Sequence, residues 1–223
     1  MKKHFQRAPV ALVIKTLLRH KHAFQTTALM DVQEHYKTPF HVLISCILSL
    51  RTKDQVTGPA SQRLFALADT PATLLHIDVK KIEQAIYPVG FYKTKARTIQ
   101  KICKILLDEY HGQVPLQYEQ LLQLPGVGPK TAAITMVYGH GIHEHIPVDI
   151  HVHRLSNRLG WVNTTKPEIT EKELKKIVPK KYWQDLNDML VQFGQNICRP
   201  ISPWCSKCPV EKHCPRIGVS THR

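Results

Sequence analysis

Apolar residues recur at three- and four-residue intervals along most of the chain. Trp183, Leu186, Met189, Leu190, Phe193 and Ile197 form one stripe. Ile99, Ile102, Cys103, Leu106 and Leu107 form another, with Lys101, Lys104 and Asp108 turned outward. Both stretches predict amphipathic helices. The segment Phe40–Leu50 is apolar nearly all round and predicts a central helix buried on every side. Strict apolar–polar alternation, the mark of a half-buried strand, is almost absent. Prolines and glycines at 70–71, 88–90, 114–115, 125–129, 147, 167 and 179 cut the pattern into short helices. The expected fold is all-α with about ten helices, and the chain has no internal repeat or low-complexity tract.

Composition narrows the class. The chain has 223 residues, 43% of them hydrophobic, which excludes an intrinsically disordered protein. No run approaches the roughly 18 consecutive apolar residues of a membrane span. After Met1-Lys2-Lys3, the apolar stretch Ala8–Ile14 is interrupted by Lys15 and has no small-residue cleavage site, so a secretory signal is not expected. The expected setting is intracellular, with no membrane partner. Lys and Arg number 31 against 17 Asp and Glu, a net charge of +14. The cations are spread over Lys53, Lys80, Lys81, Lys93, Lys95, Arg97, Lys101, Lys175, Lys176, Lys180 and Lys181 rather than gathered on one amphipathic helix. That spread points to a nucleic acid and away from an anionic membrane.

Three segments carry candidate chemistry. Tyr118–Leu124 reads as a short helix, followed by Pro125-Gly126-Val127-Gly128 and a second helix opening at Pro129, where the missing N–H costs nothing. Gly126 and Gly128 permit a tight turn and leave amides unshielded by a Cβ, a pattern suited to a phosphate. Lys130 in the first turn opposes the helix dipole at a cost of some tenths of a kcal/mol. It reads as either a phosphate contact or an amine nucleophile. A Gly/Pro loop then ends at Asp149, both a helix N-cap and a candidate catalytic carboxylate. His140, His143, His145, His151 and His153 lack the spacing of a helical zinc site, and His151 reads as a packed neighbour of Asp149.

Six cysteines divide into two groups. Cys46 and Cys103 lie in apolar segments and read as core residues. Cys198, Cys205, Cys208 and Cys214 crowd into seventeen residues as C-x6-C-x2-C-x5-C, which in an intracellular protein means metal rather than disulfides. Zinc and a [4Fe-4S] cluster both fit four thiolates; a single close pair leans to iron–sulfur. Arg199, Lys207, Lys212 and Arg216 against Glu211 suggest that this tail also faces DNA.

LPGVGPKTAA at 124–133, PVDIHVHRLSNR at 147–158 and the cysteine tail together resemble the endonuclease III family of base-excision DNA glycosylases, in the helix-hairpin-helix/Gly-Pro-Asp superfamily. The resemblance implies two helical domains with a DNA groove between them. One is a six-helix domain over 31–143; the other joins 1–30 to 144–223 and carries a [4Fe-4S] cluster on Cys198, Cys205, Cys208 and Cys214. It implies Lys130 as catalytic amine and Asp149 as catalytic carboxylate in a monomeric enzyme acting on double-stranded DNA with a damaged base or abasic site. Such an enzyme removes oxidised pyrimidines through a lysine Schiff base and cuts 3′ of the abasic site by β-elimination. It fills the space of the flipped nucleotide with side chains that match Arg51 and Phe91 here; many members carry glutamine where this chain has Arg51. Gly126, Gly128 and Arg199 are expected to be further DNA contacts. The alternatives are a mismatch-specific glycosylase and a non-enzymatic helix-hairpin-helix DNA-binding module with a structural cluster.

The charge alone generates one prediction. Affinity for duplex DNA should fall steeply and log-linearly with salt, at roughly 0.9 per phosphate neutralised. A flat response in a titration across salt concentrations would contradict the polyanion reading.

Overall fold

The computed structural model describes residues 7–20 and 38–223, and every described regular element is a helix. They form two compact units. One joins the N-terminal segment to His143–Arg223; the other ends at Ile142. The boundary expected at residue 31 lies outside the described residues.

The unit ending at Ile142 is built around α2 (Pro39–Ser49). Thr38 caps it, its side chain accepting from the His41 amide, and Pro39 takes the first turn. Every residue from Phe40 to Leu48 is buried, as the all-round apolar pattern predicted. Around it lie α3 (Asp54–Leu67), α4 (Pro71–Leu75), α5 (Val79–Ile86) and α6 (Tyr92–Tyr110). On α6, Ile99, Ile102, Cys103 and Leu106 face the core, while Lys104 and Asp108 pair outside at 2.8 Å. The hairpin consists of α7 (Tyr118–Leu121) and α8 (Pro129–Ile134), the latter running on into a π-turn, Thr135–Gly139. α7 stops short of the expected Leu124. The amides of Gln123 and Leu124 bond three residues back, to Gln120 and Leu121, which tightens the chain into the turn. Gly139 closes against α2, where a Cβ would lie 2.9 Å from Pro39 Cα.

The other unit packs α1 (Val10–His20), α9 (Ile150–Arg158), α10 (Pro167–Ile177) and α11 (Trp183–Asn196). Val10, Val13, Ile14 and Leu17 make the buried stripe of α1. The chain before α1 is tied down by Trp161, whose indole N–H donates to the Ala8 carbonyl at 3.0 Å. On α11 the predicted stripe is buried at Leu186, Met189, Leu190 and Phe193; Asn187, Val191, Gln192 and Gly194 are buried too, so more than one face is covered. Gly194 is required by contact: a Cβ there would stand 2.5 Å from His151 Nδ1. No helix among the described residues is long and apolar enough to cross a membrane.

Candidate functional site

In the hairpin, Gly126 has φ +78° and packs under α6, where a Cβ would sit 3.3 Å from Thr98 Cγ2. Conformation and packing therefore both select glycine there. Gly128 differs. Its φ is −105° and a Cβ would meet nothing within 4 Å. Nothing among the described residues requires glycine at that position, and the ground beside it is open to an approaching ligand. Gly128 caps α8, Pro129 follows, and Lys130 stands exposed in the first turn. Behind it lies the buried Cys46 thiol, which burial pushes up to about 12 against the opposing field of Lys130. Cys46 is thus a neutral core neighbour of the amine, and Cys103 is buried as expected.

Two loop tips of the same unit come together. Arg51 follows α2 and Phe91 precedes α6; both are exposed, and both take left-handed backbone, φ 53° and 58°. For non-glycine residues that conformation costs roughly 1–2 kcal/mol each. The Arg51 guanidinium lies over the Phe91 ring, 5.8 Å from its centroid. Beneath them the backbones nearly touch, since a Cβ on Gly90 would fall 2.8 Å from the Arg51 carbonyl oxygen. The arrangement presents a planar cation and an aromatic ring side by side, suited to stacking on bases.

Asp149 and the four clustered cysteines belong to the other unit. Asp149 is half-buried and caps α9, its Oδ1 accepting from the amides of His151 at 2.8 Å and Val152 at 2.9 Å. The His151 ring lies against α11. Its Nδ1 packs on Gly194 and lies 3.1 Å from Arg154 Nη2, while the His151 amide donates to Asp149. His145 instead pairs with Glu171 at 3.0 Å. Burial alone would raise the Glu171 carboxyl, but hydrogen bonds from His145 and Lys175 outweigh it and hold the group below its ordinary value.

α9 also holds the cysteine tail. Arg154 donates to the Cys198 carbonyl through Nε at 3.2 Å and Nη2 at 2.9 Å, and to the Gly194 carbonyl at 3.0 Å. Arg158, 8% exposed, donates to the Arg199 and Pro200 carbonyls, both at 2.7 Å, and lies 3.3 Å from the Cys198 sulfur. Two arginines thus satisfy the backbone of the first cysteine turn and set positive charge beside its sulfur. The four sulfurs are near enough to feel one another: burial, reinforced by charge on the other three, pushes the Cys208 thiol up to about 11. Yet no three Cys, His, Asp or Glu side chains among the described residues converge closely enough to hold one metal ion. Arg199 is exposed at the end of α11, its Nε donating to the Gln195 carbonyl at 3.3 Å.

Sequence reasoning missed three participants. Lys95, counted above among the charges attracting a polyanion, is 7% exposed. Arg154 and Arg158 lie within a quoted motif and passed as part of it. In each case only the type of charge is written in the chain; that it is drawn away from solvent is decided by what packs on it.

Residues 44–180 match the model of the HhH-GPD superfamily of base excision DNA repair proteins. The chain is 45% identical over 183 residues to endonuclease III of Thermotoga maritima, covering 82% of this chain and 85% of that one. It is 44% identical over 190 residues to the chloroplastic endonuclease III homolog 2 of Arabidopsis thaliana, of which it spans only 49%. Among solved structures, a trapped endonuclease III–DNA covalent intermediate, an estranged-adenine complex, superposes with a TM-score of 0.80 at 32% identity, covering 92% of this chain and 93% of that one.

The arginine contacts predict that Arg158→Met strips donors from the Arg199 and Pro200 carbonyls. Hydrogen exchange should quicken across 198–217 while α1 keeps its protection. Unchanged exchange in the tail would show that Arg158 does not hold it.

Proposed function

The chain belongs to the HhH-GPD superfamily of base excision DNA repair proteins and, within it, to the endonuclease III family of DNA glycosylases and AP lyases, and we propose that its own substrate is duplex DNA carrying an oxidised pyrimidine. The observation that carries this reading is the exposed Lys130 amine in the first turn behind a glycine with open ground beside it. The amides around Gly126 and Gly128 grip a backbone phosphate, and the damaged nucleotide leaves the stack. The Lys130 nitrogen forms a bond to C1′ of the sugar as the base departs with the glycosidic electron pair. Asp149, held by the α9 amides, stabilises the cationic sugar and helps move the protons. The sugar ring then opens, O4′ leaving C1′ and taking up a proton, to give the Schiff base; loss of a C2′ proton from it expels the 3′ phosphate and cuts the strand. Arg51 and Phe91 fill the space the nucleotide vacated, and Arg199 contacts phosphate. The reaction is intracellular, where the DNA is.

The tail fits a [4Fe-4S] cluster. Four partly buried thiolates beside one another repel, and a cationic centre relieves that repulsion. A cluster would offer each thiolate its own iron. Cys198, Cys205, Cys208 and Cys214 would hold it, and it would staple a loop-rich tail whose only regular elements are two short 3₁₀ turns.

Borohydride should trap the protein on a duplex containing one oxidised pyrimidine and on an abasic duplex. Lys130→Ala should lose both adducts while keeping most of its DNA affinity. Trapping on the abasic duplex alone would mean a different base substrate; trapping on neither would leave a DNA-binding module with Lys130 as a phosphate contact. Elemental analysis should find iron and acid-labile sulfide in the purified, yellow-brown protein, reduced by Cys205→Ser. A colourless protein with stoichiometric zinc would overturn the cluster.

A further inference from the structure

Lys95 lies in the second turn of α6, and its ammonium is inserted under the loop that follows α2. Nζ donates to the carbonyls of Leu48 at 2.7 Å and Leu50 at 2.5 Å, and reaches Thr52 Oγ1 at 3.2 Å. Three donors meet three acceptors, so the buried charge is fully satisfied. Two of those acceptors are carbonyls at the C-terminal end of α2, where a cation also complements the helix dipole. Thr52 Oγ1 in turn accepts from the Gly90 amide at 3.2 Å, next to Phe91. The Lys95 amide bonds the Phe91 carbonyl at 3.0 Å. One residue therefore grips both loop tips: its side chain holds the residues on either side of Arg51, and its backbone holds Phe91.

We infer that Lys95 is a positioning residue for strand separation, locking Arg51 and Phe91 side by side as one rigid two-part wedge. This rests on the proposed role of Arg51 and Phe91 in filling the space of the flipped nucleotide. The lock has a physical reason. Both tips occupy left-handed backbone that is unfavourable for arginine and phenylalanine, and such conformations persist only where surrounding contacts over-determine them. A wedge that pushes into a base stack must not relax when loaded. Carbonyls gripped by a buried cation yield less readily than carbonyls facing water, because the alternative strands a charge in a dry site. Burial holds the Lys95 amine down at about 8, the mark of that dry site. Lys95 touches neither the hairpin glycines nor Lys130 through any of these bonds, so its effect passes through the two tips.

The test compares two substrates and one optical signal. Lys95→Met keeps the length of the side chain and removes its donors; Thr52→Val keeps the shape of Thr52 and removes the shared oxygen. Single-turnover excision is measured on a duplex with one oxidised pyrimidine, and strand cleavage on a single-stranded abasic oligonucleotide, which has no stack to fill. The ratio of the two rates should fall about 10- to 100-fold in Lys95→Met, and in the same direction, by less, in Thr52→Val. The fluorescence of 2-aminopurine placed opposite the lesion, which rises when the base unstacks, should rise on binding wild type and stay low with Lys95→Met. An unchanged ratio, or an equal fall on both substrates with wild-type unstacking, overturns the lock and leaves the proposed activity standing. A wild-type protein inactive on both substrates overturns that activity and this role together.

Discussion

Burying α2 on every side is the constraint from which the hairpin unit follows. A helix with no polar face cannot be left at a surface, so other helices must surround it, and each covering element is then referred to the same axis. The consequences are local. Gly126 lets the hairpin turn settle near Ile47, Gly139 brings the π-turn onto Pro39, and Cys46 places a small neutral group behind Lys130. The end of the helix is no less constrained. Its last carbonyls have no helical partners, and the cation of α6 supplies them, which fixes where the chain emerges at Arg51. The core helix thus positions Lys130, the hairpin turn and the Arg51 tip through separate contacts along its length.

The second unit solves a different problem. Its cysteine tail is too short and too loop-rich to bury a core, and α9 holds it with Arg154 and Arg158 reaching across to carbonyls of 194–200. The same helix begins at Asp149. A carboxylate that caps a helix is oriented by the first-turn amides, so one element anchors the acid at one end and the first cysteine turn further along. The packing of His151 on Gly194 sets how closely α9 and α11 approach.

In both units, positive charge is used in two ways. Most cations among the described residues remain solvated and contribute to the field that draws a polyanion. Lys95, Arg154 and Arg158 are withdrawn from that field to satisfy backbone carbonyls where no helix or sheet partner exists. Desolvating them is costly, and what is obtained is a defined position for exposed groups nearby. Exposed, conformationally strained tips at Arg51 and Phe91 are compatible with a stable fold because the strain sits directly above such an anchor.

The chain's periodicity determined the helical class, the buried stripes of α6 and α11 and the all-round burial of α2, because helix formation and burial follow from local spacing of apolar residues. Motif spacing picked out Lys130, Asp149 and the four cysteines, since a tight glycine turn, a helix cap and a crowded thiol set are each written within a few adjacent residues. Tertiary structure alone decided what depends on distant partners. A lysine at 95 is written in the same letters as the exposed lysines at 93 and 101; only the carbonyls of a helix more than forty residues away make it a buried anchor. The early end of α7, the packing of His151 on Gly194, and the pairing of Arg51 with Phe91 are of the same kind. Each is settled by desolvation and close packing between segments remote in sequence, and these are properties of the folded contact rather than of any local string of residues.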